Sequence, residues 1–212
     1  MTGDDVGHAT VSGLWRLLDE LHETGFSRDP RDLTNNLGML SGTIERAWSI
    51  AGEPPPDAPE IGAAAAAWHR IGIAMTAHAG DLQALGVAGG GPGAVAGVSG
   101  DRLATRYRDA ADLADQARRS LSDYGSEIAA ARRRHGEMSD HLRAAAARLH
   151  PCEPRRIGQV LDEAVAQTAE GIWAAIDAYT LAEAATRECA ETLWGIAERM
   201  PFPRLPAEPD PA

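Results

Sequence analysis

From Leu103 to Leu149 the apolar and small residues fall at alternating steps of four and three. They are Leu103, Tyr107, Ala110, Ala114, Ala117, Leu121, Tyr124, Ile128, Ala131, His135, Met138, Leu142, Ala145 and Leu149. Such spacing puts every one of these side chains on one stripe of an α-helix. Only His135 interrupts the stripe chemically, and Pro151 ends it. At about 1.5 Å per residue this helix is roughly 70 Å long. A helix of that length must lie against other long helices, in its own chain or in a partner's. No compact globule needs a helix that long.

Shorter helical faces surround this segment. Leu14, Trp15, Leu18, Leu21 and His22 make a first face, and Leu33, Leu37, Leu40, Ile44 and Trp48 a second. Asp29 followed by Pro30 reads as an N-cap with proline at the first helical position. "AGEPPPDAPE" then breaks the pattern. The third face is Ile61, Ala64, Trp68, Ile71, Met75, His78, Leu82 and Leu85, and the fifth runs through Ile157, Leu161, Ala164, Thr168, Ile172, Ile176, Tyr179 and Leu193. Aromatic residues are only 5% of the chain while alanine is frequent, which suits closely packed helices. No segment alternates with period two. The expected fold is all-α: a short N-terminal helical pair (1–52), a proline-rich linker (53–60), a long helical hairpin (61–150), a long C-terminal helix (151–200) and a proline-rich tail (201–212).

Charge and composition narrow the function. The formal net charge is −11, which opposes binding to nucleic acid or anionic membranes. There is no lysine; the 20 basic residues are all arginine, a mark of a GC-rich genome. The N-terminal residues lack the apolar core of a signal peptide, and no apolar run is long enough to span a membrane. A cytoplasmic chain is expected, with export by a route independent of a signal peptide left open. Cys152 and Cys189 leave room for one disulfide without implying it.

"GGGPGAVAGVSGDRLATRY" (Gly89 to Tyr107) poses a choice between a phosphate loop and a helix connection. A phosphate loop needs a lysine, and a dinucleotide loop needs a preceding strand and a different glycine spacing. The connection is preferred, with Ser99 or Asp101 capping the next helix. The histidines lack the four-residue spacing that pairs two imidazoles on one helical face. No nucleophile signature is present either. No enzyme activity, cofactor, metal or catalytic residue is expected.

The segment from Ile61 to about Leu149 resembles the helical hairpin of WXG-type proteins, the substrates and partners of type VII (ESX) secretion systems. Val98, Ser99 and Gly100 fall on the Trp-x-Gly positions of that family's turn, and Tyr107 stands near its aromatic; valine replaces the tryptophan. The resemblance implies helix pairing with a protein partner, as a homo- or hetero-oligomer. It also implies an export signal of the form Tyr-x-x-x-Asp/Glu, which "YTLAE" matches at Tyr179 and Glu183. The expected packing residues are Leu103, Tyr107, Leu121, Tyr124, Ile128, Met138, Leu142 and Leu149.

A second resemblance competes. "DLTNNLGMLSGTIERAW" (Asp32 to Trp48) is similar to a helix-turn-helix with its turn at Gly38, which implies a DNA-binding regulator with a coiled-coil region. Few basic residues accompany it, so two leucine-packed helices are preferred. A plain cytoplasmic helical scaffold is the remaining alternative. "RRRH" (Arg132 to His135) reads as a solvated helical face, with contact to an acidic partner as the alternative.

Overall fold

The structure, a computed structural model, describes residues 3–27, 29–55, 57, 59–88, 94–150 and 156–201. Its helices are α1 (Gly3–Glu23), α2 (Leu33–Ala51), α3 (Pro59–Ala88), α4 (Ala94–Arg148) and α5 (Ile157–Arg199). A 3₁₀ turn, Pro30–Asp32, leads into α2. Asp29 caps that turn, its carboxylate accepting the Arg31 N–H at 2.9 Å. The fold is all-α, and there is no strand among the described residues.

Contacts divide the chain into two compact units. The first joins Met1–Asp57 to Ser126–Thr186. In it α1 and α2 run antiparallel: Glu20 pairs with Arg46 at 2.8 Å, and Gly13 lies beside Ile50. The later part of α4 and the earlier part of α5 are also antiparallel. Arg148 meets Glu163 at 3.4 Å, His141 meets Glu170 at 3.2 Å, and His135 stacks edge-on to Tyr179 with ring centroids 6.2 Å apart. All four helices feed one core, with Leu14, Leu18, Leu40, Ile44, Met138, Leu142, Leu161 and Ile172 buried in it. Each such leucine or isoleucine contributes about 1.5–3 kcal/mol by leaving water.

The second unit joins Ala58–Gly125 to Arg187–Ala212. There α3 lies antiparallel to the earlier part of α4. Ile61 sits near Gly125, Gly72 against Ala111 and Ala114, and His78 beside Tyr107. Its buried cluster is Leu113, Ala117 and Ile196, with Trp68, Leu193 and Met200 packed against it. Helices α4 and α5 contribute residues to both units. The compact units therefore follow packing, not chain order: the N-terminal pair shares its core with α4 and α5.

Two local expectations change. Helix α4 begins at Ala94, so the backbone of Val98, Ser99 and Gly100 is helical. These residues are not in the connection, and neither Ser99 nor Asp101 is the cap. Ala94 and Ala96 are the best helix formers there, and the helix runs on through Gly97 and Gly100, each of which costs about 1 kcal/mol against alanine. The connection itself, 89–93, lies outside the described residues. Likewise α2 is one helix from Leu33 to Ala51, passing straight through Gly38. The turn of a helix-turn-helix is absent there, and Arg46 is engaged by Glu20.

Candidate interaction surfaces

The long stripe on α4 is buried for most of its length. Ala110, Ala114, Ala117, Leu121, Ile128, Ala131, His135, Met138, Leu142, Ala145 and Leu149 are all inside. Tyr107 and Tyr124 are half-buried, and Leu103 at the start is 37% exposed. The helices of the same chain cover this stripe: α1, α2 and α5 in the first unit, α3 and α5 in the second. These buried positions offer no surface to another molecule.

Uncovered apolar side chains do occur in the second unit. On α3 Ile73 is 57% exposed and Leu85 70%, and on α5 Trp194 is 66% exposed. Ile71 of α3 is exposed as well. The indole N–H of Trp194 donates to Glu198 at 3.0 Å, which fixes the ring across the outer face of α5. Burial of such side chains against another apolar surface is favourable, and tryptophan is enriched among the residues that dominate binding energy. Ile73 stands two residues from Ile71, off the three–four alternation of α3. That break in period was the available signal, and periodicity read alone passes over it.

The first unit holds a polar latch over the end of α2. Gly52 terminates α2 with φ +57°, a left-handed conformation glycine adopts freely, and its N–H donates to the Trp48 carbonyl at 2.9 Å. Three side chains grip the backbone here and just beyond. The Tyr179 hydroxyl lies within hydrogen-bond reach of the carbonyls of Ala51 and Glu53, the latter at 2.7 Å, and its one proton is shared between them. Arg132 donates to the Pro55 carbonyl at 2.6 Å. His135 lies buried beside Gly52, and burial lowers its pKa; the backbone hydrogen bond with Gly52 opposes that shift and nearby Arg132 reinforces it. Its Nε2 finds no hydrogen-bond partner among the described residues.

The basic run Arg132 to His135 is accordingly not a uniform solvated face. Arg132 and His135 face the latch, Arg134 pairs with Glu137 at 2.8 Å, and Arg133 is exposed. Tyr179 and Glu183 lie one turn apart on α5. Both are half-buried, and burial raises the Tyr179 pKa. Cys189 is a buried free thiol, while Cys152 lies outside the described residues.

No family model, curated protein or solved structure matches this chain. No helix is long and apolar enough to cross a membrane, and no group of three His, Cys, Asp or Glu is placed to hold a metal ion, among the described residues. One further pair escaped the sequence reading. Trp15 of α1 meets Trp173 of α5 edge-to-face at 4.7 Å, with both rings partly exposed. It ties α1 to α5 outside the leucine core.

Proposed function

We propose that this chain works by helix pairing with a protein partner, as a substrate or a packing component of a type VII secretion system. The observation that supports it is the set of uncovered apolar side chains in the second unit, Ile73, Leu85 and Trp194. Covering those side chains with another helix removes apolar surface from water and stabilises the unit. The antiparallel α3–α4 hairpin adds support, because it has the plan the WXG-type resemblance implies. On this reading Tyr179 and Glu183 act as the export signal, and a receptor that reads the phenol must first free it from the Ala51 and Glu53 carbonyls.

The test compares culture filtrate with cell lysate in a host whose type VII system is active. Wild-type protein is expected in the filtrate, and Trp194→Ser with Leu85→Ser is expected to abolish co-purification of the partner while leaving the melting temperature nearly unchanged. Wild-type protein confined to the lysate would remove the export reading. Unchanged co-purification of the double variant would remove the pairing surface.

A further inference from the structure

A second surface lies between α1 and α2 in the first unit, and nothing proposed above uses it. An open groove of about 820 Å³ runs along the outer side of this helical pair. Phe26 and Met39 give it an apolar floor, and Met39 is 44% exposed. Gly38 and Gly42, one turn apart on α2, line it as well. A Cβ at either glycine would meet nothing within 4 Å.

Those glycines weaken α2, and no packing among the described residues requires them. They leave a channel along one i, i+4 row of the helix. A ridge of side chains on a second helix fits such a channel. Methionine beside it adapts to varied partner shapes.

The rim selects by charge. Glu20, Glu23 and Glu45 line the groove together with one cation, Arg46. Arg46 is already paired with Glu20. Glu23 and Glu45 are exposed and have no ion pair among the described residues. A second copy of the chain would bring the same carboxylates and the same net charge of −11. Nucleic acid and anionic lipid are repelled for the same reason.

We infer that the α1–α2 groove docks an amphipathic helix of a partner protein, one that carries arginine or lysine beside its apolar ridge. The ridge settles over Gly38 and Gly42, and the cations reach Glu23 and Glu45. This proposal is independent of the pairing proposed through Ile73, Leu85 and Trp194.

The experiment uses the full chain and two labelled peptides of about five helical turns. One is built of leucine, alanine and arginine, and the other has every arginine replaced by glutamate. Fluorescence anisotropy is expected to show the basic peptide binding at least about tenfold more tightly than the acidic one, with the difference shrinking as salt is added. Gly42→Leu, whose Cβ meets nothing within 4 Å and whose side chain fills the channel, is expected to weaken the basic peptide about tenfold or more while raising the melting temperature. Glu23→Gln with Glu45→Gln, both at exposed positions, is expected to remove most of the preference for the basic peptide without touching the packing. Equal binding of the two peptides, or no binding of either, overturns the proposal. So does a basic-peptide affinity that both variants leave intact, or a wild-type dimer that Gly42→Leu dissociates.

Discussion

His135 shows how one side chain can break a pattern and still serve the fold. It occupies a stripe position on α4 where a leucine would be expected, yet it is buried. One face of its environment is the Tyr179 ring, another the backbone at Gly52, and Arg132 lies close on its own helix. Burial holds its pKa below the ordinary histidine value. The folded protein therefore binds this proton less readily than the unfolded chain does. Stability from this site is complete above about pH 6.5 and falls as pH drops below that, until the folded form is itself protonated. Chemical denaturation at pH 7.5 and at pH 5.5 is expected to show a larger loss for wild type than for His135→Phe. Equal losses would mean that His135 titrates alike in both states.

At the scale of helices, close approach depends on glycine in one place and not in others. A Cβ at Gly171 of α5 would lie 2.9 Å from Leu142 Cδ2, inside contact distance. Leu142 is fully buried and has little room to yield. Gly171→Ala is thus expected to destabilise by about 1–2 kcal/mol, overpacking outweighing the gain in helix propensity. Gly38→Ala, where the same methyl meets nothing, is expected to stabilise by up to about 1 kcal/mol. Urea midpoints of the two variants, shifted in opposite directions, would check this; shifts of one sign would refute it.

The helices themselves were legible in the sequence because Leu, Ile and Ala recur at three- and four-residue steps. What periodicity cannot convey is which neighbour covers a stripe. Leu142 and Leu103 look alike in sequence, but one is sealed and the other is exposed. The start of α4 was misread because glycines at 97 and 100 resemble a turn, whereas helix continues through them. The latch on Gly52 and the α1–α2 groove join residues far apart in sequence, so no local pattern announces them.

Over the whole molecule the two units differ in how much apolar surface they enclose. Among the described residues, the first buries leucines and isoleucines from four helices, while the buried cluster of the second contains Leu113, Ala117 and Ile196. Local opening should follow that difference. Amides from Met75 to Leu85 are expected to exchange at least about a hundredfold faster than those from Met138 to Ala145, measured by native-state hydrogen exchange. Matching protection in both stretches would show that the chain opens as one cooperative body. The discontinuity of the first unit also bears on how the protein is made. Its N-terminal part ends at Asp57, but the stretch that completes it runs to Thr186. At about 5–20 residues per second, the ribosome needs on the order of 10 s to deliver that remainder. Through this interval Leu14, Leu17, Leu18 and Leu21 have α2 beside them but lack the α4 and α5 part of their core, and a nascent-chain chaperone has a clear window in which to hold them.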